Sequence, residues 1–265
     1  MSKSINPSKV NLLLTKIKHW EYWPLHVVYF PVFFYWIYLS IKARSMLFFT
    51  SSNPFIETGG LMGESKIKIL NSIPERYKPF SFIIKSGNAI AFIDKLLQDG
   101  KISYPFICKP DIGERGKLVE KINDPTELLQ YIDKIKVYFI VQEFIDFPVE
   151  AGVFYYRMPN SKNGHVTSIV LKEFLKVTGD GFSSILELMN QNERARFQIE
   201  RFLKEKKKLL NNVPQKNEQV ALEPIGNHCR GTTFLNGNYL IDQDLEKTFD
   251  EISKILQDFI MEDMT

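Results

Sequence analysis

PFICKPDIGERG, residues 105–116, runs a short apolar strand into Lys109-Pro110 and on into a loop bounded by Gly113 and Gly116. Phe106, Ile107 and Cys108 have the apolar and β-preferring character of a buried strand. A plain hairpin has no need of a lysine at its end, whereas a loop that wraps a phosphate does. The lysine supplies a point charge, and the glycine loop holding Glu114 and Arg115 supplies backbone N–H groups. Glycines admit the close approach and unusual dihedrals of such a loop. On this stretch alone, a surface hairpin and a phosphate-binding loop remain alternatives.

Further along, VQEFIDFPVEAGVF places Glu143 at the end of an apolar strand and Glu150 seven residues later, after Pro148. A carboxylate leaving a strand can accept from an adenine amino group while the adjoining backbone pairs with the ring. A second carboxylate can accept the two ribose hydroxyls. The bland alternative makes both glutamates ordinary surface residues.

The flanking text alternates strands and helices. FSFII (80–84) reads as a strand, 88–98 as a helix ending at Gly100, and Asp124-Pro125 as an N-cap with proline at the first helical position. VYFIVQEFI (137–145) and AGVFYYR (151–157) read as strands, and HVTSIVLKEFLKV (165–177) as one or two more. Ser184-x-x-Glu187 is a capping box after the GDG turn at 179–181. Residues 192–212 read as one charged helix. Strands are expected around 219–224, in TTF (232–234) and in NYLI (238–241), the last two joined by an Asn-Gly-Asn turn. A helix closes the chain from about Asp242. Such a mixture predicts an α+β fold in two lobes.

In this order the motifs resemble those of the ATP-grasp superfamily over roughly residues 64–242. The resemblance implies an ATP-grasp-like two-lobed fold that clamps ATP, activates a carboxylate as an acyl phosphate and lets an amine or thiol displace the phosphate. It implies that Lys109 contacts the ATP phosphates, with Gly113, Glu114, Arg115 and Gly116 as the covering loop. Glu143, Phe144 and Ile145 match the adenine hinge, and Glu150 the ribose carboxylate. Lys66, in GESK before a helix, matches the earlier family lysine, with Lys68 as competitor. VTGDGFSSILELM is similar to a segment of cyanophycin-synthetase-like ligases, with Phe182 where a basic residue is usual.

IGNHCRGTTF (225–234) sets Asn227, His228, Cys229 and Arg230 between two glycines. One His beside one Cys lacks the spaced ligand pairs of a zinc site. Arg230 and Asn227 are expected to face the ATP phosphates or an acyl phosphate. His228 is either an acid/base or a structural histidine. Arg157 and Lys172 either contact phosphate or brace the sheet. The family also uses Mg2+, held by an acidic residue on one late strand and a Glu-x-Asn pair on the next. No Glu-x-Asn occurs in this sequence. The expectation is therefore a C-terminally incomplete fold, lacking metal ligands, that is either part of a carboxylate–amine (or thiol) ligase or a noncatalytic nucleotide-binding or membrane-associated module. Its carboxylate and amine substrates are not readable.

The 265 residues are 44% hydrophobic with a net charge of +3, which gives no electrostatic reason to expect nucleic acid. Two cysteines build no disulfide framework, and no secretory signal is evident, so a cytoplasmic location is expected. Residues 22–41, YWPLHVVYFPVFFYWIYLSI, contain no charged side chain and are flanked by Lys16 and Lys18 before and Lys42 and Arg44 after. Three readings stay open for this aromatic, apolar helical N-terminal segment: spanning a membrane, lying on a membrane surface, or burial against protein. The expected organisation is an N-terminal region at 1–63, an N-terminal lobe at 64–144 and a partial C-terminal lobe at 145–265.

Overall fold

The computed structural model describes residue 17 and residues 23–53, 56–61, 63–85, 88–113, 116–158, 160–224 and 226–263. Glu114 and Arg115 lie outside the described residues. The chain forms two units. The first takes in Leu47–Leu171 and Asn236–Thr265, and the second the chain up to Met46 together with Lys172–Leu235.

The first unit is built on an antiparallel sheet of β1 (Ser81–Ile84), β2 (Phe106–Pro110), β3 (Glu120–Ile122) and β4 (Phe139–Glu143), in the order β1-β4-β2-β3. Cys108 pairs with Val141, and Lys109 with Ile140. Directly opposed residues share a face and neighbours along a strand alternate. One face therefore carries Ile84, Phe106, Cys108, Ile122, Phe139 and Val141, all buried. The helices α3 (Ala89–Gln98) and α4 (Pro125–Lys134) cover that face with Ile93, Leu96, Leu128 and Tyr131. Each such side chain contributes roughly 1.5–3 kcal/mol by leaving water. Burial, with Glu120 adding to it, pushes the Cys108 thiol well above its ordinary pKa. The start of α4 is as the sequence predicts: Asp124 accepts the Glu127 N–H at 3.0 Å, and Pro125 opens the first turn.

In the same unit, β5 (Glu150–Tyr156) and β6 (His165–Glu173) are sheet neighbours. The closing helix α9 (Gln243–Asp263) is tied to them through Asp250, which accepts the Tyr155 hydroxyl at 2.5 Å and the Gly164 N–H at 2.7 Å. The expected Asn-Gly-Asn hairpin does not form. β9 spans Thr233–Asn236, and Asn238–Leu240 is a single 3-10 turn. The Asn238 side chain takes the Ile169 N–H at 2.8 Å and so fills the place of a ladder partner.

The second unit pairs β7 (Lys176–Thr178) with β8 (Gln219–Ala221). After β7, Gly179 passes so near the backbone oxygen of Gln215 that a Cβ there would lie 2.1 Å from it, which no side chain allows. The helix α5 (Ile185–Gln191) begins with the predicted capping box between Ser184 and Glu187. The single charged helix expected over 192–212 is instead three short ones, α6 (Glu193–Arg196), α7 (Ile199–Glu205) and α8 (Lys207–Leu210). The breaks turn Ala195, Ile199, Phe202 and Leu210 inward onto Leu175, Val177 and Leu222.

The aromatic segment forms α1 (Leu25–Ala43). No helix among the described residues is long and apolar enough to cross a membrane, so the spanning reading of residues 22–41 is withdrawn. The physical reason is composition: α1 holds three tyrosines, a histidine, a proline, a serine and Lys42.

Candidate functional site

The sheet face of the first unit that turns away from the core carries Ile107, Lys109, Ile140 and Gln142, by the same alternation that buries Cys108 and Val141. Lys109 donates to Gln142 Oε1 at 2.6 Å. Lys66, at the first position of α2 (Lys66–Ser72), donates to the backbone oxygens of Asp111 at 3.1 Å and Gly113 at 2.7 Å. Both ammonium groups thus rest on neutral oxygens. Burial and then the nearby Lys66 charge lower the pKa of Lys109 below the ordinary lysine value. Asp111 explains why these elements meet. Its buried carboxylate accepts the Ser65 hydroxyl at 2.8 Å and the Ile67 N–H at 2.9 Å, fastening the start of α2 to the end of β2.

The loop behind Lys109 bends as its glycines allow, with Gly116 at φ 68°, a left-handed conformation that glycine adopts without strain. At the far end of β4, Glu143 is opposite Phe106, three residues along the strand from the partner of Lys109. At strand rise this is about 10 Å. Glu143 is exposed, donates its backbone N–H to the Phe80 oxygen at 2.8 Å, and accepts the Phe80 N–H on its carboxylate at 3.3 Å. The ladder ends there, and Phe144 and Ile145 lead out of the sheet. The Lys121 ammonium lies 3.7 Å over the Phe144 ring. Glu150 follows, half-buried, as the first residue of β5.

Lys66, Lys109, Gly113, Gly116, Glu143, Phe144, Ile145 and Glu150 therefore all belong to the first unit. Strand alternation gives Lys109 and Glu143 opposite faces, so the two meet a common ligand only around the strand end, through the backbone that follows Glu143. The sequence reading missed Gln142 and Lys121. Gln142 had a signal, as the polar residue that follows the apolar run Phe139–Val141, whereas Lys121, in the three-residue β3, had none.

Lys172, Asn227, His228 and Arg230 belong to the second unit. Asn227–Gly231 forms a tight turn, with the Asn227 oxygen accepting the Arg230 N–H at 2.9 Å and the Thr232 N–H at 3.2 Å. His228 packs 3.9 Å from the Phe234 ring. Arg230 donates to Glu223 at 3.1 Å, and Arg201 donates to the other Glu223 oxygen at 2.5 Å. Glu223 is 1% exposed and its two arginines are 24% or less. Asp180 accepts the N–H groups of Phe182 and Ser183 and so holds the GDG turn.

A cavity of about 440 Å3 in the second unit is lined by Leu175, Val177, Arg194 and Thr233, beside the Asn227–Gly231 turn, and one of about 520 Å3 in the first unit is lined by His165 and Lys247. Among the described residues no three His, Cys, Asp or Glu side chains are grouped to hold a metal ion, so the donor set does not fit the expected Mg2+.

These features define an α+β protein with a cationic, half-buried sheet face beside a glycine loop. No family model matches the chain, and no curated protein matches it. Among solved structures it is similar to a bifunctional glutathione synthetase from Pasteurella multocida, at 14% identity over 68% of this chain with a TM-score of 0.29. It is also similar to the VanG D-Ala:D-Ser ligase from Enterococcus faecalis, at 15% identity over 68% of this chain with a TM-score of 0.37. The chain spans 26% of the first structure's length and 39% of the second's.

Proposed function

We propose that this chain is the nucleotide-holding part of an ATP-grasp-type carboxylate–amine (or thiol) ligase. The observation that carries the reading is the pair Lys66 and Lys109, two cations on neutral acceptors beside a glycine loop. Among the described residues neither ammonium is paired with a carboxylate, and a cation so placed is a poor stabilising device and a good anion receptor, because a phosphate adds the charge that its surroundings lack. In this reading the phosphates of ATP lie against Lys66, Lys109 and the Gly113–Gly116 loop. The purine lies at the other end of β4, where Glu143 accepts its amino group and the backbone of Phe144 and Ile145 borders its ring. Glu150 takes the ribose hydroxyls. Lys172, expected at the nucleotide, and Asn227, His228 and Arg230, expected to be catalytic, belong to the second unit and are given no place in this site. ATP supplies the phosphoryl group that turns a carboxylate into an acyl phosphate. No step is assigned to Mg2+, whose ligands the described residues do not supply.

Calorimetric titration with ATP and GTP tests this. ATP should bind more tightly than GTP. Glu143→Ala should narrow that gap, because only adenine carries the 6-amino donor. Glu150→Ala should weaken both nucleotides alike, because the ribose is common to them. Equal losses for the two variants on both nucleotides would refute the hinge and ribose assignments, and no heat with ATP would refute the reading as a whole. ATP binding without turnover in the presence of magnesium and candidate amino acids would leave a noncatalytic nucleotide-binding module.

A further inference from the structure

Between β4 and β5 the chain runs through six residues, 144–149, that belong to no strand or helix. Ile145, Phe147 and Val149 are exposed, whereas Phe144 is half-buried. The Lys121 ammonium lies over the Phe144 ring, 3.7 Å from its centroid. Among the described residues this is the one hydrogen-bond, ion-pair or ring contact that any side chain of the six makes. The connection is thus fastened by its side chains at a single point, and that point directly follows Glu143.

Strand register places Lys121 for this contact. Ile107 of β2 pairs with Lys121 on one side and with Gln142 on the other, so the three share a row and a face with Lys109. β3 and β4 are two strand spacings apart, about 10 Å, and Phe144 lies two residues beyond Gln142. The long lysine stem reaches across β2 and sets its charge on the ring. Among the described residues Lys121 makes no ion pair, so the negative face of the Phe144 ring is its counterpart. An edge strand of three residues thereby controls the exit of a strand with which it does not pair.

We infer that Lys121 is a positioning residue for base discrimination, holding Phe144 so that Glu143 and the backbone of Phe144 and Ile145 meet a purine carrying an amino group rather than an oxo group. The inference rests on the nucleotide reading above. A hinge free to take several arrangements would have to be ordered by the base itself, at a cost in affinity for the matching base. In this role the lysine charge acts on the ring and not on the phosphates, so its removal is selective between bases.

Calorimetric titration of ATP and GTP into the full chain and its variants tests this. Lys121→Met keeps the stem and removes the charge. It should weaken ATP roughly three- to fivefold, the worth of one cation–π contact, and leave GTP nearly unchanged. Lys121→Arg should restore the preference, because a guanidinium also stacks on a ring. Phe144→Leu should narrow the preference likewise, and adding Lys121→Met to it should narrow it no further, because the two side chains act as one unit. Chymotryptic cleavage after Phe144, read by mass spectrometry, should quicken in Lys121→Met and not in Lys121→Arg. Equal losses for both nucleotides in Lys121→Met would overturn the inference, since they would mark a general attraction for phosphate. So would an unchanged ATP preference in Lys121→Met, or a failure of Lys121→Arg to restore it. Each of these leaves ATP binding by the unaltered protein intact. Failure of the nucleotide reading looks different, with no heat from ATP in the unaltered protein, and it takes this inference down with it.

Discussion

Lys109 and Arg230 are both half-buried cations, yet they are held in opposite ways. Among the described residues, Lys109 donates to the amide oxygen of Gln142, and Lys66 beside it to the backbone carbonyls of Asp111 and Gly113. Arg230 shares the buried carboxylate of Glu223 with Arg201. The first arrangement keeps its charge available to an incoming anion. The second spends most of its charge on an internal partner, so Arg230 is oriented before any ligand arrives. Partner type, more than exposure, distinguishes a cation able to receive an anion from one already committed to an internal carboxylate.

The largest expected effect follows from the second arrangement. Glu223→Ala leaves two guanidinium groups facing each other without the carboxylate, and breaking a buried pair in this way costs about 3–5 kcal/mol. Urea denaturation should show that loss. A loss below 1 kcal/mol, the range of exposed pairs, would mean that the triad is a surface contact. The contrast can be sharpened by pH. The folded pKa of Lys109 is lowered by burial and by Lys66, so between that value and the unfolded lysine value near 10.4 the unfolded chain binds more protons than the folded one. Stability contributed at this site therefore rises with pH across that window. ATP needs the ammonium form, so its affinity should fall there, by roughly tenfold as the charge-assisted bond is lost. Lys109→Arg should move that fall to higher pH, and calorimetry from pH 7 to 10 measures it.

A smaller effect concerns Glu187, which belongs to neither cation site. The N–H and hydroxyl of Ser184 hold its carboxyl below the usual range. Its contribution is present above the unfolded glutamate pKa and is lost as pH falls through the folded one. Glu187→Gln should flatten the acid limb of the stability curve below about pH 4.3. An unchanged acid limb would contradict the capping-box account.

Both caps, Asp124-Pro125 and Ser184-x-x-Glu187, were legible because capping is a contact across three residues of sequence. β2 and β4 were legible as short continuous apolar runs, Phe106–Cys108 and Phe139–Val141, flanked by Pro105 and Glu143. The three-residue β3, Glu-Lys-Ile, carries no such pattern and exists through its pairing with Phe106 and Cys108. The Asn-Gly-Asn stretch has the local chemistry of a hairpin, but Asn238 finds Ile169, 69 residues away, and tertiary bonding wins. At the site, Lys109 and the glycine loop could be read from order alone. The partners that decide their roles, Gln142 for Lys109 and Glu223 for Arg230, could not, because each joins segments whose proximity is a property of the folded chain.

The central claim is that the cation on neutral oxygens receives the nucleotide phosphates and the cation on a carboxylate does not. Titration of ATP into Lys109→Ala and Arg230→Ala, side by side with the unaltered protein, tests it directly. Lys109→Ala should lose affinity by roughly 10- to 100-fold, the worth of one charge-assisted bond, while Arg230→Ala should stay within about threefold of the unaltered protein even as its stability falls. Normal ATP affinity in Lys109→Ala, or the larger loss in Arg230→Ala, would contradict the account.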